Sequence, residues 1–338
     1  MGFLQADPIR SPARAQDLIL CQRVKGYHAG DLERKYESLD IEEDFFVNYG
    51  YVTRRLHSFM HPRSDTRGSV SANNQSWPKS QKRRAIALHE FVRERGTVHP
   101  REVDQFFSHG KVTNYWGGSS NATTHLLDEM HYRGLLRVVR REKGIRLYAV
   151  RDHASLAISE AELEKRLDAL VDTVVNLYAP LSRASLSYYV RRLRYAAPQW
   201  ASEIPLALQR ATRRLRHVRV ANIDWYFPDK ESLRRGAVED QVRLLAPFDP
   251  LVHDRSRFEF LWGWSYRFEA YTPVAKRRLG YYAMPMLWRD RVIGWANLSI
   301  KGGKLNAEFG YPESRPRERA FQRELESELA GMRSFLNL

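Results

Sequence analysis

At 338 residues the chain is too long for one simple core and long enough for two to four small domains. Its 43% hydrophobic and 12% aromatic content places it among ordered globular proteins and excludes a disordered chain. Against 40 Asp and Glu stand 55 Lys and Arg, a net charge of +15 carried mostly by arginine, which calls for a polyanionic partner.

The start, Met1-Gly2-Phe3-Leu4-Gln5, has neither the basic nor the apolar stretch of a signal peptide. Ala6 stands where a myristoylation signal has Ser or Thr, so a cytoplasmic, nucleoid-associated chain is expected. No apolar run approaches the roughly 18 residues of a membrane span. Taken alone, Asp7-Pro8 reads as a helix start, with Asp as the cap and Pro in the first turn. Cys21 follows Leu18-Ile19-Leu20 and reads as a packed thiol; as the only cysteine it excludes an internal disulfide framework and a zinc site built from several thiolates. His57 and His61 are four apart, a spacing that can hold a metal on a helix. Pro62 argues against a continuing helix and no carboxylate or thiolate cluster accompanies them, so no metal and no cofactor is expected. Residues 63–78, polar and containing Gly68 and Pro78, read as a linker or exposed loop closing a first region at 1–78.

Residues 79–152 are the most informative. Ile86, Leu88, Phe91 and Val92 recur at helical spacing within Lys82 to Arg95, and Gly96 ends the run. A second helix is predicted from Pro100 to about Ser108. A turn at Gly117-Gly118 leads to a third, capped by Ser119 or Ser120 and running to His131 or Arg133. Tyr115 and Trp116 read as core aromatics. Leu135 to Val139 and Arg146 to Val150 form a hairpin about Lys143-Gly144. Three helices and a basic hairpin are the order of a winged helix. Its third helix, with Ser119, Ser120, Asn121 and Thr124, would enter the major groove, and its wing, with Arg137, Arg140, Arg141, Lys143 and Arg146, would contact phosphate or the minor groove. The order repeats more loosely over 153–242: a helix from Glu160 to Tyr178, a second from Ser182 or Ser185, a third from Ile204 to Leu215, and a wing from Val218 to Phe227, ending at Pro228-Asp229. This unit too is basic, with Arg191, Arg192, Arg194, Arg210, Arg213, Arg214 and Arg216.

From Leu244 strands dominate. Tyr281 to Trp288 and Val292 to Ile300 read as a hairpin about Arg289-Asp290-Arg291, Lys304 to Phe309 adds a strand, and a helix from about Arg315 to Phe335 closes on them through Phe321, Leu325, Leu329 and Met332. The fold class is therefore α+β: tandem winged helices, then a small C-terminal β-barrel-like domain over 243–338.

Three segments resemble one bacterial family, the winged-helix alkylpurine and interstrand-crosslink DNA glycosylases (the AlkZ-like group, including the YcaQ branch). They are Phe3-Leu4-Gln5-Ala6-Asp7-Pro8-Ile9-Arg10; Trp116-Gly117-Gly118 through Arg133-Gly134-Leu135-Leu136 with Arg141-Glu142-Lys143-Gly144-Ile145-Arg146; and Leu244-Leu245-Ala246-Pro247-Phe248-Asp249-Pro250-Leu251-Val252 with Glu269-Ala270-Tyr271-Thr272-Pro273 and Lys276-Arg277-Arg278-Leu279-Gly280-Tyr281-Tyr282. The resemblance implies three winged helices and a β-barrel. It also implies a catalytic Gln-apolar-Asp motif, here Gln5, Ala6 and Asp7, whereas the residues alone suggest a helix cap. In the family a few tens of residues precede the motif, which here begins almost at Met1, so a partial first winged helix is expected. Arg10 and Arg63 join the candidate DNA contacts, with His57 and His61 as further groups that could reach the phosphate beside a lesion. Asp249, in its Pro-Phe-Asp-Pro turn, reads as structural.

The chemistry suits those residue types. An N7- or N3-alkylated purine leaves from a cationic state and needs little acid help. A carboxylate can face the developing oxocarbenium ion and take a proton from water, and an amide can hold that water. Two residues apart on an extended segment, Gln5 and Asp7 point to one side. No lysine neighbours the motif, so a monofunctional glycosylase acting on damaged double-stranded DNA as a monomer is expected, with no membrane partner. The alternative is a non-catalytic winged-helix DNA-binding protein, a transcription regulator or lesion sensor; regulators are usually dimers, and the sequence has no heptad run.

Overall fold

The computed structural model describes residues 1–63, 78–107, 110–113, 119–152, 158–228 and 238–338, without the side chains of 111–113 and 119–121. The linker expected at 63–78, the Gly117-Gly118 turn, Tyr115, Trp116 and Asp229 therefore lie outside or almost outside the described residues.

The first unit is a three-stranded antiparallel sheet, β1 (Phe3–Gln5), β2 (Ile41–Phe45) and β3 (Tyr49–Thr53), in the order β1-β3-β2. Helices α1 (Ala15–Cys21) and α2 (Asp31–Arg34) connect β1 to β2, and α3 (Arg54–Met60) follows β3, capped by the Thr53 hydroxyl on the Leu56 amide. Strand alternation decides where this unit is held. Phe3, Val52, Leu56 and Met60 bury into a core built mainly on a helix of the third unit, whereas Leu4, Leu18, Ile19 and Tyr51 bury against the C-terminal sheet. Gln5 lies opposite Gly50, and a Cβ at Gly50 would stand 2.2 Å from the Leu4 carbonyl oxygen. Only glycine lets β1 press this closely on β3.

The second unit runs α4 (Lys79–Arg95), α5 (Pro100–Phe106), β4 (Lys111–Thr113), β5 (Ser119–Asn121), α6 (Ala122–Tyr132), β6 (Leu136–Glu142) and β7 (Ile145–Val150). Leu88, Val92, Val103, Leu127 and Met130 fill its core, and Lys143 and Gly144, at φ of 51° and 85°, make the tight β6–β7 turn. One expectation fails here: Ser119 and Ser120 do not cap a helix. They lie in β5, paired with Thr113 and Val112 of β4, and α6 starts at Ala122. Serine suits a short strand beside a turn as readily as a cap, and pairing with β4 satisfies the backbone.

The third unit is α7 (Glu160–Tyr178), β8 (Leu181–Ser182), α8 (Arg183–Ala196), α9 (Ile204–Arg214), β9 (Arg216–Val220) and β10 (Ile223–Phe227). Its sheet order, β8-β10-β9, repeats the first–third–second order of the first unit. Leu167, Leu170, Val174 and Tyr178 of α7 serve both units in one core. Ser159 and Ser182 cap α7 and α8.

Beyond it β11 (Val242–Leu244), β12 (Met284–Trp288), β13 (Arg291–Lys301) and β14 (Lys304–Gly310) form a half-barrel sheet in chain order, closed by α12 (Arg319–Leu336) through Phe321, Leu325 and Met332. Between β11 and β12 lie two short helices, α10 (Pro250–His253) and α11 (Arg255–Trp262). Asp249, fully buried, caps α10 at the Leu251 amide and takes a two-pronged ion pair from Arg23 at 2.6 and 2.8 Å, a fixed structural corner. Among the described residues no helix is long and apolar enough to cross a membrane.

Candidate active site and its charged surroundings

A cavity of about 670 Å³ opens between the first unit, α8 and the α10–α11 segment, with Gln5, Asn48, Tyr188, Arg192, His253 and Tyr266 among its lining. Gln5 enters it from the end of β1. Its Oε1 accepts from Asn48 Nδ2 at 2.8 Å; Asn48 Oδ1 accepts from Arg192 Nη2 at 2.5 Å; Arg192 Nε donates to the Val47 carbonyl at 2.7 Å. Sequence reasoning missed Asn48 and read Arg192 only as part of a basic surface. Asn48 lies 43 positions from Gln5 and Arg192 144 positions from Asn48, so no local spacing signals the chain.

Asp7 follows two residues on, past the end of the strand, and is not among the residues lining that cavity. It caps no helix. Its Oδ1 accepts the Ile9 amide at 2.8 Å, closing a turn over Pro8, while its own amide donates to Gln16 Oε1 at 3.1 Å; the nearest helix, α1, begins at Ala15. The carboxylate is 7% exposed, and burial raises its pKa above the ordinary value against the opposing hydrogen bond from Ile9. Tyr282 and Tyr271 stand close enough that Asp7's charge, after burial, is the next cause raising both phenols. Tyr271 is 77% exposed, so this corner opens to solvent.

The arginines expected to grip DNA are mostly turned inward. Strand β2 carries the acid run Glu42-Glu43-Asp44, all buried, and the β6–β7 hairpin packs against it. Arg137 pairs with Glu42 at 2.5 Å and Arg141 takes both oxygens of Glu43 at 2.7 and 2.6 Å. Arg146 pairs with Asp128 at 2.7 Å and lies over the Tyr49 ring. Arg63, almost wholly buried, binds Asp44 at 2.8 Å and the carbonyls of Ala196, Tyr132 and Phe45. The physical reason is the cost of three buried carboxylates, which demand cations. Lys143 and Arg10 are exposed, Arg140 is half-exposed beside Glu142, and Thr124 is exposed on α6; the side chains of Ser119, Ser120 and Asn121 lie outside the described residues. Solvent-facing positive charge lies elsewhere: in the third unit all five residues of β9 are exposed, Arg216 and Arg219 among them, with Arg191 and Arg194 on α8, and in the second unit Arg83, Arg84 and Arg93 are exposed on α4.

His57 and His61 also turn inward, stacked at 4.0 Å, each with Nε2 near Asp44 Oδ2, at 3.2 and 2.8 Å. The carboxylate missing from their sequence neighbourhood thus arrives from β2, and the three donor atoms lie within 4.8 Å of one another, close enough to hold a metal ion. Arg63 takes the other Asp44 oxygen, which already supplies the opposite charge. Burial would raise the Asp44 carboxyl, but Arg63 and the two histidines hold it well below the usual range. Burial holds both histidines below their ordinary value.

Burial also depresses His131 and His253 to about 4, against 6.5 when unperturbed. Between those values the unfolded chain binds protons that the fold refuses, so stability is full above about 6.5 and falls as pH drops. Each of these two histidines is expected to cost about 1 kcal/mol on going from pH 7.5 to 5.5. Urea midpoints at the two pH values test this; a midpoint unchanged or higher at pH 5.5 contradicts it.

Residues 1–335 match the family model described as DNA glycosylase AlkZ-like. No solved structure matches the chain.

Proposed function

We propose that the chain, which belongs to the AlkZ-like DNA glycosylase family, excises N7- or N3-alkylated purines, crosslinked ones included, from double-stranded DNA. The observation that carries this reading is a buried carboxylate of raised pKa, Asp7, two residues from an amide, Gln5, that enters a cavity. The base leaves with the electron pair of its N-glycosidic bond, which an alkyl group at N7 or N3 has already weakened by positive charge. The sugar C1′ then resembles an oxocarbenium ion. A water oxygen bonds to C1′, one of its protons passes to the Asp7 carboxylate, and an abasic site remains. No lysine adjoins Gln5 and Asp7 in the sequence, so water rather than an enzyme amine is the nucleophile, and the activity is that of a monofunctional hydrolase.

We read the three helix–strand units as winged helices. The strand order shared by the first and third units and the hairpin that ends the second support that reading. The duplex would run along the exposed cations of the third unit and past Arg10, Arg140 and Lys143.

Base release from duplex DNA carrying N7-methylguanine tests the function. Release well above spontaneous depurination, followed by cleavage at the abasic sites, supports it. Retained DNA binding without release supports a regulator or sensor instead, and a sequence-defined footprint on undamaged DNA would identify the former. The inward-turned and the solvent-exposed arginines should separate in the same preparation. Arg216→Ala with Arg219→Ala is expected to flatten the log–log salt dependence of duplex binding by about 1 to 2 with little change in melting temperature. Arg141→Ala should lower the melting temperature and leave the salt slope nearly unchanged. The reverse pattern would refute this assignment.

A further inference from the structure

We infer that Asn48 and Arg192 are positioning residues that fix which end of the Gln5 amide meets DNA, presenting its Nε2 donor and not its oxygen to the cavity. The consequence for catalysis rests on the base-excision reading above; the orientation itself rests on three hydrogen bonds. An arginine guanidinium only donates. Its 2.5 Å contact with Asn48 therefore ends on Oδ1, which turns Asn48 Nδ2 toward Gln5. That donor, at 2.8 Å, ends on Gln5 Oε1. The oxygen of Gln5 is thereby engaged inside the protein, and the NH2 group is what remains for the cavity that Gln5 lines.

Both ends of this chain are anchored. Arg192 is clamped by the Val47 carbonyl at 2.7 Å, next in sequence to the asparagine it orients. Gln5 sits on a strand pressed so tightly against Gly50 that the backbone has little room to carry the amide elsewhere. A helix of the third unit thus sets the polarity of a side chain in the first. With its oxygen engaged, Gln5 offers the cavity only a donor, so a water held there is bound through its lone pair and keeps both protons free for an acceptor.

Asn48→Asp tests the inference. The carboxylate keeps the shape and the Arg192 partner but can only accept, so the Gln5 amide must turn to donate to it, and Oε1 enters the cavity. Excision of N7-methylguanine under single turnover is expected to fall about 10- to 100-fold with unchanged duplex affinity. Adding Gln5→Ala to Asn48→Asp should cost no more than about twofold further, because the donor is already withdrawn. In spectra of chain labelled with nitrogen-15 on Asn and Gln, the Gln5 side-chain amide should exchange quickly with water in the wild type and become protected in Asn48→Asp. Unchanged excision in Asn48→Asp, additive losses, or a Gln5 amide already protected in the wild type would each overturn the inference. If the wild type releases no base while the exchange pattern holds, the glycosylase reading fails and the orientation of Gln5 stands.

Discussion

Asp7→Asn is expected to reduce excision of N7-methylguanine by about 10²- to 10⁴-fold, the range for loss of a positioned proton acceptor. Three observations make this substitution clean. Asparagine has the same shape, so its carbonyl can still accept the Ile9 amide across Pro8. The backbone bond from Asp7 to Gln16 is untouched. The charge is what disappears, and the fold gains by losing it: burial raises the Asp7 pKa, so the ionised form costs stability at neutral pH. The variant should therefore bind duplex DNA as the wild type does, melt at the same temperature or higher, and fail in chemistry. The wild-type rate should also fall on acidification with a midpoint above 3.8, the ordinary aspartate value, because the carboxylate must be ionised to take the proton. Single-turnover rates across pH, with melting curves beside them, check both parts. Activity within about threefold of wild type would remove Asp7 from the chemistry, since a positioned base contributes far more than that.

How much of this was legible depends on whether the determining contact is local. Helix α7 was readable to its ends because Leu163, Leu167, Leu170 and Val174 recur at helical spacing behind a serine cap. The hairpin turn at Lys143-Gly144 was readable because positive φ favours glycine, whereas Arg289 takes a positive φ that its residue type does not signal. The Asp7-Pro8 pair was ambiguous in principle, since an aspartate that closes a turn on the residue after a proline looks in sequence like a helix cap; the family resemblance, not the residues, pointed to the site. The inward arginines were not legible at all. Arg137 and Arg141 reach Glu42 and Glu43 across 95 and 98 residues, and alternation along a hairpin does not say that an acidic strand covers it. The one available sign was the acid run Glu42-Glu43-Asp44 itself, in a strand flanked by Ile41 and Phe45, where both faces would bury charge. Asn48 and Arg192 join through tertiary packing alone. The first unit, moreover, divides its buried side chains between two neighbouring cores, so no hydrophobic pattern within 1–63 reveals its boundary.

That shared packing makes Asp44 the position where one substitution should cost the fold most. Its carboxylate, 1% exposed, binds Arg63 through one oxygen and faces the stacked His57 and His61 with the other. Arg63 in turn bonds the carbonyls of Phe45 in the first unit, Tyr132 in the second and Ala196 in the third, so a single guanidinium ties all three together. Replacing Asp44 with alanine leaves that cation buried with neutral acceptors only, and breaking one partner of a buried pair typically costs about 3–5 kcal/mol. Arg63→Ala leaves the carboxylate its histidine contacts but no permanent cation, and should cost a similar amount. Removing both charges should cost less than the sum, because neither ion is then left alone. A double-mutant cycle in urea at pH 7.5 measures this directly. Additive losses would mean that the two charges do not stabilise each other and that the three carbonyls alone hold Arg63. Because Gln5 pairs with β3 and β3 pairs with β2, a loosened Asp44 corner should also slow excision in the folded fraction. Unlike Asp7→Asn, it should do so only together with a lowered urea midpoint, which separates a change in chemistry from a change in the scaffold that aims it.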